Sequence, residues 1–208
     1  LLSAGTNTFL YLQGTKNGEK SKSELAMMNQ KDSLQKELLR LEDSLNNVVK
    51  NLQTGKITKL TLDGKRNKII NGTTDWVYEE EFSITKAYAW SPDSKTIAFL
   101  RFDEKAVKEY SLETYGNLYP EHYEYKYPKA GEDNSKVTAH VVNVKSGKIS
   151  NLPMVSYEYI PRLNWSSTSN QLILQTMNRY QNELTYHLWD YTGSKPSYKV
   201  IFEEKSNT

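Results

Sequence analysis

One local pattern recurs along the chain and limits what it can fold into. Thr54-Gly55-Lys56-Ile57-Thr58-Lys59-Leu60 and Ser146-Gly147-Lys148-Ile149-Ser150-Asn151-Leu152 are the same turn followed by a short strand, and Thr192-Gly193-Ser194-Lys195 begins a third copy. A second unit, Trp90-Ser91-Pro92-Asp93-Ser94, returns as Trp165-Ser166-Ser167-Thr168-Ser169. Each of these is followed by an apolar strand, Thr96 to Phe102 and Gln171 to Met177. Tandem strand-turn-strand units with a Trp before a Ser-rich turn read as stacked antiparallel sheets of the β-propeller kind. A single small sheet cannot cover both of its faces, so such units must pack on one another.

Composition agrees with a sheet protein. Only 37% of the 208 residues are hydrophobic, while aromatics reach 12%, a balance that suits half-buried strands better than a helical bundle. Formal net charge is +2 with no basic block, which argues against a nucleic-acid partner. Cysteine is absent, excluding disulfides, thiolate metal sites and a cysteine nucleophile. The chain begins Leu1-Leu2-Ser3-Ala4-Gly5, which is too short for a signal peptide and lacks an initiating Met.

Two stretches interrupt the strand pattern. Residues 7 to 13 read as a strand, but Leu34, Leu38, Leu41, Leu45 and Val48 are spaced 4, 3, 4, 3 and predict an amphipathic helix over Ser33 to Lys50. Ser21 and Glu24 are placed as a capping box at the start of this helical insertion, 21–50. The helix is expected to pack its Leu stripe on the side of the sheets; a lid or dimerisation arm is the functional alternative. The second interruption is a Tyr-rich excursion, 103–135, whose rings either cover a strand edge or form a substrate wall or oligomer surface.

Chemistry concentrates at Asp75-Trp76-Val77-Tyr78-Glu79-Glu80-Glu81. Three adjacent carboxylates either lie in water or await a cation. The aromatic pair Trp76 and Tyr78, and the strand-like segments on either side, favour a site. An ammonium has three donors and no acceptor, so two carboxylates can satisfy it. On a helical turn, Glu80 and Glu81 would diverge by about 100° and reach a ligand from different sides. Trp76 is read as the apolar anchor of that turn. No Gly-x-Ser-x-Gly elbow, zinc spacing or phosphate loop occurs. His122, His140 and His187 are scattered and read as packed or solvated imidazoles; Asp103 and Glu104 read as structural. Arg179 can pair either with the acidic triplet or in an ordinary surface salt bridge.

The stretch Asp75 to Glu81 resembles the signature of the dipeptidyl peptidase IV family, serine exopeptidases in which a β-propeller precedes an α/β-hydrolase domain. The likeness extends through Ala89-Trp90-Ser91-Pro92-Asp93, Arg101-Phe102-Asp103-Glu104, Tyr127-Pro128-Lys129-Ala130-Gly131 and Asn178-Arg179-Tyr180-Gln181-Asn182. The resemblance implies an all-β fold for 1–208, a partial propeller of about three blades, with the hydrolase domain absent from this chain. It implies that Glu80 and Glu81 bind the free amino terminus of peptide substrates, with Trp76 and Tyr78 supporting them, no metal and no cofactor. The intact enzyme would release amino-terminal dipeptides with Pro or Ala second. Its partners would be those peptides, the hydrolase domain of the same parent chain and a second copy in a homodimer; a periplasmic or cell-surface setting fits. The alternative is a noncatalytic β-propeller module that binds proteins. In either case these 208 residues alone are expected to hydrolyse nothing.

Overall fold

The structure, a computed structural model, describes residues 8–9, 45–116, 118–154, 157–167, 170–191 and 196–207. It is an all-β protein with several antiparallel sheets and one short helix among the described residues. The first sheet has three strands, β1 (Thr8–Phe9), β2 (Val48–Lys50) and β3 (Ile57–Lys59); β1 runs parallel to β2, and β2 antiparallel to β3.

The central sheet is built on β6 (Thr96–Asp103). One edge of β6 is shared in tandem by β4 (Ile69–Asn71) and β5 (Tyr88–Trp90), and its other edge pairs with β9 (Lys136–Asn143), which pairs in turn with β10 (Ile149–Leu152). The third sheet is a four-stranded meander of β11 (Tyr159–Trp165), β12 (Gln171–Met177), β13 (Glu183–Asp190) and β14 (Ser197–Lys205). No sheet among the described residues closes on itself.

These sheets pack as layers, and the sequence of β6 explains why. Ile97 to Leu100 is an unbroken apolar run, so successive side chains point to opposite faces and both faces must be covered. Ile97 and Phe99 bury against Leu60, which follows β3, and against Val142. Ala98, Leu100 and Phe102 bury on the opposite face with Ile160, Leu172, Leu174 and Trp189 of the third sheet. Full burial of a side chain such as Phe102 contributes about 1.5 to 3 kcal/mol. The central and third sheets are also tied by Trp165, whose indole N–H donates to the carbonyl of Ala89 at 3.0 Å.

Both repeats are real structural repeats. In the first, Asn51 N–H donates to the carbonyl of Lys56, and Gly55 N–H to that of Asn51. The second copy repeats this with Asn143, Lys148 and Gly147. In each, the leading Asn side chain also accepts from two following amides, Gln53 and Thr54 or Lys145 and Ser146. Gly55 and Gly147 both take φ near +70°, a conformation that favours glycine. In the Trp-Ser unit, Ser91 N–H donates to Thr96 and Ser166 N–H to Gln171, each at 2.8 Å. The Thr192 to Lys195 copy lies outside the described residues.

The helix expected over Ser33 to Lys50 is corrected at its end. Leu45 to Asn47 form a turn and Val48–Lys50 is the strand β2. Two asparagines decide this. Asn46 Oδ1 accepts from the Thr61 hydroxyl and from Gly64 N–H, while Asn47 N–H donates to Thr61 Oγ1 and the Asn47 carbonyl accepts from Leu60 N–H. Those contacts draw the segment alongside β3, where the β-branched pair Val48-Val49 fits a strand. Residues 10–44, with the rest of the expected helix and its capping box, lie outside the described residues.

The Tyr-rich excursion is a β-hairpin, β7 (Glu109–Thr114) paired with β8 (Glu121–Lys126). It stands out from the layers, and Tyr115, Leu118 and Tyr119 at its tip are exposed. Its rings pack mainly on one another. Tyr110 contacts Tyr125 and Tyr127, Tyr125 contacts Tyr123 and Tyr127, and Arg66 lies 4.9 Å over Tyr123.

Candidate functional site

Between β4 and β5 the chain leaves the central sheet, makes a single helical turn and returns. The base is closed by backbone bonds from Gly72 to Leu100 and from Ala87 to Gly72, and by the Thr73 and Thr74 hydroxyls donating to the carbonyls of Thr85 and Ile84. The turn is α1 (Trp76–Glu80). Five residues are far too few for a helix stable on its own, so its geometry is imposed by contacts.

Asp75 is the N-cap. Its Oδ1 accepts from Tyr78 N–H at 3.0 Å and its Oδ2 from the Ser135 hydroxyl at 2.5 Å, just before β9. Burial raises the Asp75 carboxyl above the usual carboxylate range, against the lowering effect of these two bonds. Glu104 is also buried, and its carboxyl is pushed up to about 7, first by burial and then by the nearby Asp75, with Lys126 opposing. Nothing in the residues around Glu104 signals this burial beside Asp75.

Val77 and Tyr78 face inward. The Tyr78 ring, 1% exposed, packs edge-on against Phe102 and lies beside Phe82. Its hydroxyl accepts from the backbone N–H of Ile160 in β11 at 2.7 Å. Trp76 is half-buried and meets Tyr127 edge-on at 4.4 Å, which joins the turn to the base of the Tyr hairpin. Phe82, just beyond the turn, packs on Tyr159, and its carbonyl accepts from Arg162 Nη1 at 3.4 Å. Ser135, Ile160 and Arg162 carry no recognisable motif, and only the packing of the sheets brings them here.

With the inner face of the turn occupied, the glutamates are left outside. Glu79 is half-buried, whereas Glu80 and Glu81 are exposed. Glu80 ends the helix and Glu81 is its C-cap, its N–H donating to Val77. Among the described residues, none of the three carboxylates has an ion-pair partner within 4 Å. Arg179 does not pair with them: it bridges to Glu158 at 3.2 Å and donates to the carbonyl of Glu132. Two neighbouring carboxylates at the C-terminal end of a turn, where the backbone dipoles already favour cations, form an acceptor pair for a donor-only group.

The histidines lie elsewhere. His140 in β9 stacks on Phe99 and shares a hydrogen bond with Thr138, and burial lowers it to about 4. His187 in β13 lies between the Thr176 and Tyr198 hydroxyls.

Layered antiparallel sheets that carry a capped acidic turn on a loop between strands define a domain of the β class. Comparison with known proteins narrows this. Residues 45–208 match the model of the dipeptidyl peptidase IV N-terminal region. The chain is 35% identical over 162 residues to dipeptidyl peptidase 4 of Bos taurus, covering 70% of this chain and 21% of that protein. It is 34% identical over 159 residues to inactive dipeptidyl peptidase 10 of Mus musculus, covering 72% and 19% respectively. The crystal structure of Porphyromonas gingivalis dipeptidyl peptidase 4 is similar with a TM-score of 0.73 and 38% identity, over 78% of this chain and 23% of that one. The chain belongs to the dipeptidyl peptidase IV family, within its N-terminal region. It spans about a fifth of the length of the curated relatives it matches.

Proposed function

We propose that this chain is the substrate-recognition part of a dipeptidyl peptidase IV-like serine exopeptidase, a partial β-propeller whose blades are the three stacked sheets. Glu80 and Glu81 grip the α-ammonium of a peptide's free amino terminus. Trp76 and Tyr78 hold the turn that carries them. A hydrolase domain of the same parent chain then cleaves after the second residue, Pro or Ala, and the fixed distance from the glutamates to its serine sets the length released. The exposed Tyr hairpin is the surface through which two copies would pair.

One observation carries the reading: Glu80 and Glu81 are exposed at the end of a turn with no cationic partner among the described residues. Each charge-assisted hydrogen bond to an ammonium contributes about 1.5 to 3 kcal/mol. An acylated amino terminus would leave both carboxylates desolvated without a cation, so only free amines should bind.

A second reading, a noncatalytic β-propeller interaction module, is favoured by the likeness to a relative named as inactive. One assay separates the two. The longest natural product containing this sequence is given Gly-Pro-anilide and its N-acetyl twin, as wild type and as Glu80→Gln/Glu81→Gln. Cleavage of the free amine alone, lost in the double variant, is the expected result. If neither substrate is cleaved, the peptidase reading is overturned in favour of the interaction module.

A further inference from the structure

The acidic turn is held from two sides by residues of two different sheets. Ser135, at the entry to β9 of the central sheet, donates its hydroxyl to Asp75, 60 residues earlier. Ile160, in β11 of the third sheet, donates its amide to the Tyr78 hydroxyl. All four residues are buried, with Ser135 7% and Ile160 0% exposed. Asp75 is the N-cap and Tyr78 lies three residues on, so the two pins span most of a turn that cannot hold its own shape. Glu80 and Glu81 follow within three residues of the second pin. A shift of the central sheet against the third would therefore be passed on to the carboxylates.

Building on the proposed function, we infer that Ser135 is a positioning residue for recognition of the free amino terminus, acting with the Ile160-to-Tyr78 bond to fix Glu80 and Glu81 relative to both sheets. Its hydroxyl does not touch the substrate. It completes the cap that sets where α1 starts, and so where the glutamates end. A clamp for an ammonium is demanding in this respect, since a displacement of about 1 Å can cost up to two orders of magnitude.

The test uses the same full-length chain and Gly-Pro-anilide, with Ser135→Ala and Tyr78→Phe beside Glu80→Gln/Glu81→Gln. KM and kcat are measured on enzyme counted by active-site titration. For Ser135→Ala and Tyr78→Phe the expected result is a KM raised roughly tenfold or more with kcat per active site unchanged, because lost ground-state binding appears in KM. A merely structural role would lower the titrated fraction and leave KM at its wild-type value, which would overturn the inference. If Tyr78→Phe does not accumulate as folded protein, Ser135→Ala decides by the same criterion. The outcome with the glutamate variant is separate: undiminished cleavage there sinks the proposed function itself, whereas lost cleavage there with wild-type KM in the two pin variants sinks only the positioning role.

Discussion

The Tyr78 hydroxyl and the Ile160 amide nitrogen lie 2.7 Å apart, and 82 residues of chain separate them. This bond joins the acidic turn of the central sheet to the first strand of the third, at a place where water has no access. Burial raises the Tyr78 hydroxyl well above its ordinary range, so it stays neutral and serves as a hydrogen-bond partner.

Tyr78→Phe keeps the ring and removes only the acceptor. The buried Ile160 N–H then has no partner, and loss of such a partner costs about 1 to 3 kcal/mol. Urea denaturation should show a lower midpoint with an unchanged slope. A variant as stable as wild type would mean that the bond contributes nothing to sheet packing.

Stability should depend on pH through Glu104. Its carboxyl is pushed up to about 7 in the fold, from 4.5. Between those values the folded state keeps a proton that the unfolded state has released, so stability falls as pH rises from about 4.5 to about 7 and is then level. The loss across that window is on the order of 3 kcal/mol. Asp75, also raised, adds to the same trend. Glu104→Gln should remove most of the slope and be the more stable protein at pH 8; parallel pH profiles of the two proteins would disprove this.

Gly64 is required for space. A Cβ there would come within 2.3 Å of the Leu45 carbonyl oxygen and 2.7 Å of Asn46 Cγ, in the turn that leads into β2. Backbone cannot step aside as a side-chain end can. Gly64→Ala should destabilise the protein by about 1 to 3 kcal/mol, measured by thermal or urea unfolding. At Gly55 an added Cβ meets nothing within 4 Å, and only the strain of φ +73° opposes a side chain. That cost is about 1 to 2 kcal/mol.

The sequence by itself determined what is decided between near neighbours. Strands such as Gln171–Met177 and the turns before Ile57 and Ile149 follow from residue type and spacing. The turns close their hydrogen bonds within a few residues, and a short apolar run marks the strand, so local chemistry is enough. The family resemblance rested on such local stretches, and residues 45–208 match the family model. The helix expected through Lys50 went wrong for the opposite reason. Apolar spacing takes no account of Asn46 and Asn47, which bond to residues 13 to 18 positions away, and those partners turn Val48–Lys50 into a strand. Tertiary structure alone decided that Ser135 and Ile160 hold the acidic turn, that Arg179 pairs with Glu158, and that Glu104 is buried beside Asp75. Each of these depends on which sheet faces covered one another. Burial and long-range pairing are set by that packing, and no short stretch of sequence contains it.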